Sequence, residues 1–258
     1  MQKSYELAFA GILITQGILS LLLYLNPNYY DILSQEDGIA ENISAILLFL
    51  SGCVLVYKPF RETGFDIQWP KYLIVVAGLC LIIAAGEEIS WGQRIFGFET
   101  PVALEEINAQ NEFNFHNINK KFFDRLLDRT SIILVVISSI LLLRGKKRLF
   151  HFTLPKPWLI LTFIAMLFYR QFVNQEVDFY NGLGYLSLVI LLTFAIKKQK
   201  IQISAAIIGL IIWTIFLTYY HQVNAGLFID HNNSANEFRE LMFAYCVWIY
   251  ANQIKLKR

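Results

Sequence analysis

Two adjacent glutamates, Glu87 and Glu88, directly follow an apolar stretch in the segment AAGEEISWGQR. The negative end of a helix macrodipole disfavours a carboxylate at this place. In an apolar environment a carboxylate also costs several kcal/mol unless it is paired, protonated or bound to a metal ion. We therefore predict that Glu87 and Glu88 are metal ligands and that Glu88 also acts in catalysis. The alternative is an interfacial pair whose charge is neutralised by Arg94.

Three further residues belong to the predicted site because glutamate and histidine side chains are common metal ligands. Glu112 and His116 are four residues apart, so on a helix they would share one face, as a pair of ligands or as an acid and a base. His231 follows in a later asparagine-rich loop as another predicted ligand. Mixed oxygen and nitrogen ligands favour zinc, manganese or iron, whereas carboxylates alone favour magnesium or calcium.

Two more glutamates have a simpler structural explanation beside the functional one. Glu41 is a candidate general base, but it also stands in the first turn of an apolar run, where the helix dipole favours an acid. Glu237 is a predicted metal ligand, and Ser234 three residues earlier makes it equally the fourth position of a capping box. Glu240 lies one turn deeper on the same side of that predicted helix.

The elements that would position these residues are membrane-spanning helices. Hydrophobic residues make up 56% of the chain and charged residues 16%, against roughly 45–50% and about 25% in soluble domains. A helix crosses the hydrocarbon core with about 20 apolar residues. Eight stretches fit this description and predict an all-α integral membrane protein: 5–25, 38–57, 71–90, 130–144, 157–174, 180–197, 201–220 and 235–253.

The distribution of charge predicts how these helices are oriented. With both chain ends on the cytoplasmic side, most of the 22 lysines and arginines fall in cytoplasmic segments, as the positive-inside rule requires. All but three of the 20 acidic residues then fall on the outer side, together with His116, His221 and His231. Because acidic residues contribute little to that rule, their one-sided placement needs another cause. We expect the functional groups to lie at the outer face.

The segment 91–129 is the only long connection and is predicted to lie outside the membrane. The stretch 118–130 has an apolar stripe that is typical of a short amphipathic helix on the membrane surface. The alternative is that the stretch packs against the protein and extends the short predicted span 130–144. The stretch 104–120 is a candidate docking surface for a protein partner.

Together these patterns favour a membrane-embedded enzyme, a metal-dependent hydrolase or transferase that acts on a lipid or envelope substrate. A scaffold subunit and a carrier of cations or protons remain as alternatives. Nucleotide-binding glycine motifs, Gly-x-Ser-x-Gly and HExxH are absent, and no basic surface indicates nucleic acid. The basic flanks and short loops are typical of a bacterial cytoplasmic membrane, with the site facing the exterior or periplasm.

Overall fold

The computed structural model describes residues 2–35, 38–61, 69–101, 114, 118, 120–149, 151–174, 179–224 and 232–255. Most of these residues are helical, and a two-residue antiparallel strand pair, β1 and β2, joins Arg148–Leu149 to Phe152–Thr153. A single 3-10 turn, Ser90–Gly92, follows the fourth helix. The helices are α1 Gln2–Leu25, α2 Pro27–Ser34, α3 Ile39–Arg61, α4 Trp69–Glu88, α5 Gln93–Phe96, α6 Lys120–Leu143, α7 Pro157–Asn174, α8 Phe179–Lys197, α9 Ile201–Val223 and α10 Asn232–Gln253.

An all-helical fold is confirmed, and each of the eight predicted spans coincides with one of these helices to within a few residues, apart from the early start of α6. Among the described residues, five segments are long and apolar enough to cross a membrane, as in a multi-pass membrane protein: Lys3–Leu25, Pro27–Arg61 (which contains α2 and α3), Trp69–Glu88, Leu126–Leu143 and Ile201–Val223. The apolar parts of α7 and α8 are shorter. Polar residues near the start of α10 interrupt its apolar sequence, although the helix itself is continuous. Composition alone therefore does not identify α10 as a span.

Of the two interpretations of 118–130, the structure supports the one in which this stretch extends the fourth predicted span rather than forming a surface helix of its own. Helix α6 runs without a break from Lys120 to Leu143, so this stretch forms its first turns. Nothing between Asp128 and Ser131 stops a helix, since neither glycine nor proline occurs there.

Polar contacts of α3 with α4 and α10 lie at the two ends of the bundle. At one end, the start of α3 meets the end of α4 through Ser44 and Glu88. At the other end, the Lys58 ammonium donates to the carbonyl oxygens of Ala251 and Asn252, which caps the last turn of α10. Helices α3 and α10 therefore run in the same direction, and α4 runs against both of them.

Helix α7 forms the centre of the bundle and contacts α1, α6, α8, α9 and α10. Its residues Leu159, Leu161, Ile164 and Ala165 have no exposed surface. Helix α10 lies between α7 and α3. The polar side chains at the start of α10 consequently face protein rather than the surroundings.

Candidate functional site

Three carboxylates from two distant parts of the sequence meet at one end of the bundle. Glu88 ends α4, and Glu237 and Glu240 lie one turn apart near the start of α10. One carboxylate oxygen from each lies within 4.8 Å of the others, and all three side chains are half-buried. We call Glu88, Glu237 and Glu240 the carboxylate cluster.

The position of Glu88 depends on an abrupt end to α4. Ser90, Trp91 and Gly92 all have positive φ angles, of 48°, 55° and 74°. Two consecutive non-glycine residues in this left-handed region are uncommon, because their Cβ atoms crowd the backbone. Such strained residues are concentrated at functional sites. Here the turn stops α4 at Glu88, so that its side chain lies beside α10.

The same turn gives Glu87 a different partner. The Trp91 indole folds back over α4 and donates a hydrogen bond of 2.6 Å to Glu87 Oε1. Gly86 makes room for this ring, since a Cβ atom at that position would lie 2.9 Å from it. Glu87 lies beside the carboxylate cluster but is not one of its three members.

Ser44 of α3 orients Glu88 from the other side. Its hydroxyl, which is buried, donates to Glu88 Oε1 at 2.5 Å and lies 2.8 Å from a second acceptor, the carbonyl oxygen of Glu41. Hydrogen bonds to carboxylates are short and hold them in one orientation. Glu41 itself is half-buried in the first turn of α3, one turn before Ser44.

A buried arginine compensates part of the negative charge. The side chain of Arg239 has no exposed surface. One of its nitrogens lies 2.7 Å from Asp128 Oδ1 on α6, and another lies 3.2 Å from Glu240 Oε1. The guanidinium thus ties α6 to α10 and fixes Glu240. Breaking such a buried pair is costly, because it leaves a charge without its counterion.

The carboxylates of the cluster lie close enough to share one divalent cation. Oxygen ligands bind magnesium at about 2.0–2.1 Å and calcium at about 2.3–2.6 Å, so two ligands of one ion lie at most about 4.2 Å apart around magnesium and about 5.2 Å apart around calcium. The three carboxylate oxygens of the cluster lie within 4.8 Å of one another. Glu88, Glu237 and Glu240 carry three negative charges, and Arg239 supplies one positive charge beside them. A cation would offset the remaining repulsion.

A cavity of about 730 Å³ opens beside the cluster, between α4, α6 and α10. Glu87, Glu88 and Glu240 line one end of it, and Pro155, Val247 and Tyr250 line the other end. Most of its remaining wall consists of apolar side chains. The cavity therefore combines a carboxylate end with a long apolar interior, a combination typical of sites for small amphiphilic molecules.

The predicted site residues have different outcomes. Glu88 and Glu237 lie together, and Glu240, which the sequence pattern placed on the same face of its helix, completes the cluster. Glu112, His116 and His231 lie outside the described residues, as do the side chain of Arg94 and all of 104–120 except Asn114, Ile118 and Lys120. Their roles stay predictions.

The capping-box interpretation of Glu237 was wrong. Helix α10 already begins at Asn232, so Ser234 lies inside it rather than at its N-cap. The Ser234 hydroxyl donates to Asp31 Oδ1 on α2 at 2.6 Å. Glu237 is therefore available to the carboxylate cluster.

One polar contact at this end of the bundle could not be predicted from the sequence. His221 of α9 and Ser20 of α1 are both buried, and their Nε2 and Oγ atoms lie 3.2 Å apart. The two residues are 201 positions apart in the chain, so only the packing of α1 near α9 brings them together. Hydrogen bonds of this kind commonly hold membrane helices together.

The chain matches no family model, no curated protein and no solved structure. The function is therefore argued from the geometry of the site alone.

Proposed function

We propose that this protein is a membrane-embedded enzyme that uses a divalent metal ion at the carboxylate cluster to hydrolyse or transfer a group of a lipid or envelope substrate. The observation that carries this proposal is the convergence of Glu88, Glu237 and Glu240 at the end of a largely apolar cavity. In the proposed arrangement all eight long helices cross a bacterial cytoplasmic membrane. Both chain ends lie inside, and the cluster lies at the outer face.

The chemistry follows from the ligand set. Glu88, Glu237 and Glu240 would hold a divalent ion, and such an ion would supply Lewis-acid chemistry, polarising a substrate oxygen or lowering the pKa of water. The described ligands are all oxygen donors, which favours magnesium, manganese or calcium. A histidine ligand from His116 or His231 would shift the preference towards zinc or iron. Glu41, one turn before Ser44, is the proposed general base.

A cation carrier is the weaker candidate. A path across the membrane needs polar groups along its whole length. The carboxylates that line the cavity, Glu87, Glu88 and Glu240, all lie at one end of it, whereas Val247 and Tyr250 line the far end. This one-sided arrangement favours an enzyme over a carrier.

The first experiment measures divalent ion binding by the detergent-purified protein. Manganese is titrated and followed by electron paramagnetic resonance, and elemental mass spectrometry records the ions that co-purify. We expect one manganese site per chain, weakened at least about tenfold in Glu88→Gln, which corresponds to about 1.4 kcal/mol of binding free energy.

Glu87→Gln provides the matched control, because it removes the same charge from the neighbouring residue, whose carboxylate is bonded to Trp91. It should change the affinity only slightly. Equal weakening by both substitutions would show a general charge effect and reject a site centred on Glu88. No binding of manganese, magnesium, calcium or zinc by folded protein would reject the metal-dependent mechanism.

A further inference from the structure

The long axis of the cavity runs parallel to the helices, and therefore along the membrane normal. Its lining on α10 runs from Glu240 to Tyr250, which corresponds to roughly 15 Å at 1.5 Å per residue. The hydrocarbon core of a bilayer is about 30 Å thick. The cavity therefore has the depth of a single leaflet, which is the length of one lipid chain.

The cavity is also open sideways, between α4 and α6. Ile83 of α4 and Leu126 and Leu134 of α6 line it, yet they are 52%, 49% and 56% exposed. Its floor, in contrast, consists of buried residues, among them Val135 of α6 and Ile160 of α7. In a membrane, the open side faces the hydrocarbon interior, so a lipid chain can enter without passing through water.

Small side chains create the space. Ala84 of α4 and Ser131 and Ser138 of α6 line the cavity at positions where leucine would fill it. The two serines are buried. In membrane helices such small residues normally allow close packing. Helices α4 and α6 instead face each other across a cavity of about 730 Å³.

The wall of the cavity indicates the kind of occupant. Along the roughly 15 Å from Glu240 to Tyr250, most of the lining side chains are apolar. Such a wall suits a hydrocarbon chain, because the chain has no backbone or side-chain polar groups that need hydrogen-bond partners.

We propose that the cavity holds one hydrocarbon chain of a membrane phospholipid, with the headgroup at Glu88 and Glu240 and the chain end near Val247 and Tyr250. This inference rests on the proposed function for its headgroup end, since three carboxylates would repel a phosphate unless a cation lies between them. The proposed substrate is therefore a lipid with a negatively charged phosphate next to its hydrocarbon chain.

Photocrosslinking in nanodiscs of phosphatidylcholine and phosphatidylglycerol tests this orientation. The probes are two phosphatidylglycerols, with a diazirine near the carbonyl or near the methyl end of one acyl chain. Mass spectrometry then locates the labelled residues. We expect the first probe to label residues near Ala84 and Leu127, and the second to label residues near Pro155 and Val247. A divalent ion should increase labelling, and a chelator should reduce it.

Two variants separate cavity binding from binding at the surface. Ala84→Trp fills the cavity and should reduce both labels about tenfold, equivalent to about 1.4 kcal/mol. Val76→Trp places the same ring on α4 at an exposed position that does not line the cavity, and labelling should persist. If Ala84→Trp does not fold, Cys80→Trp at the exposed rim of the cavity replaces it.

Labelling without depth order, or labelling that Ala84→Trp or Cys80→Trp leaves unchanged, would overturn the proposal. So would preferential labelling of the cavity by a diazirine-bearing transmembrane peptide. The failure of the proposed function is distinguishable. Ordered lipid labelling in a protein that binds no divalent ion would keep the lipid chain in the cavity but reject the metal-dependent enzyme. Ion binding without lipid labelling would reject the lipid chain in the cavity but keep the metal-dependent enzyme.

Discussion

At the scale of single residues, neighbouring side chains of the same type have different environments. Glu87 and Glu88 point about 100° apart on a helix, so Glu87 meets the Trp91 indole and Glu88 meets Ser44 and α10. The sequence indicates that a pair of carboxylates at this depth needs partners. It does not indicate which of the two faces α10, because the partner helix is almost 150 residues away in the chain.

Arg239 provides a test of the charges around the cluster. Replacing it with methionine removes the counterion of Asp128 and Glu240, so we expect unfolding to become easier by about 3–5 kcal/mol. The free energy of unfolding is measured in mixed micelles by titration with a denaturing detergent. The double variant Arg239→Met/Asp128→Leu should recover part of this loss, since Asp128 is no longer left as an uncompensated charge.

Arg129→Met is the matched control for this prediction, because Arg129 is an exposed arginine next to Asp128. Charge pairs at the surface contribute roughly 0–1 kcal/mol, so this variant should unfold nearly as the wild type does. If Arg239→Met and Arg129→Met were equally stable, the buried ion pair would not be holding α6 to α10.

At the scale of secondary structure, most of the fold could be predicted from apolar runs of about 20 residues. The helix bounds follow from these runs. Of the acidic residues that were predicted for one face, the structure brings Glu88, Glu237 and Glu240 together. Two features could not be predicted from one sequence. The left-handed turn at Ser90 and Trp91 uses residues that normally avoid this conformation, and α10 packs with its polar start against α3 and α7.

The pairing of α3 with α4 depends on two glycines in contact. A Cβ atom on Gly52 would lie 2.6 Å from the carbonyl oxygen of Gly78, and one on Gly78 would lie 2.8 Å from that of Gly52. Because backbone cannot yield as a side chain does, Gly52→Ala should force the helices apart. We expect a loss of about 1–3 kcal/mol and weaker orientation of Glu88 by Ser44.

Thermal unfolding in detergent, followed by circular dichroism, measures this effect. Gly209→Ala is the matched control, since an added Cβ atom there meets nothing within 4 Å and alanine favours a helix by up to about 1 kcal/mol. Similar melting temperatures for Gly52→Ala and Gly209→Ala would contradict the close approach of α3 and α4.

At the scale of the whole molecule, the number of times the chain crosses the membrane can be tested by labelling cysteines at the two ends of the bundle. The endogenous cysteines, Cys53, Cys80 and Cys246, are first replaced by alanine. Single cysteines are then placed at Thr100 and Asn224, near the carboxylate end, or at Gly145 and Lys255, near the opposite end. An impermeant maleimide applied to intact cells should label the first pair and leave the second pair unlabelled until the membrane is opened.

This labelling also addresses the helices that composition alone does not mark as spans. Asn224 and Lys255 flank α10, so opposite labelling of these two positions requires that α10 crosses the membrane. Equal labelling would remove α10 from the spans and would place the carboxylate cluster differently. Asn174→Cys extends the test to α7 and α8, because the eight-span arrangement places this position, between the two helices, on the side opposite to Gly145.

The polarity of α10 determines when the site can be completed during synthesis. Glu237, Arg239 and Glu240 would each oppose insertion of this helix as an isolated segment, at about 2.5–3.5 kcal/mol for a charge near a span's centre and less towards its end. Their partners, Glu88 and Asp128, reside on helices made earlier. In the proposed eight-span arrangement, α10 would enter the membrane against a nearly finished bundle, and a ribosome stalled before Asn232 would leave behind a chain with only one of the three carboxylates.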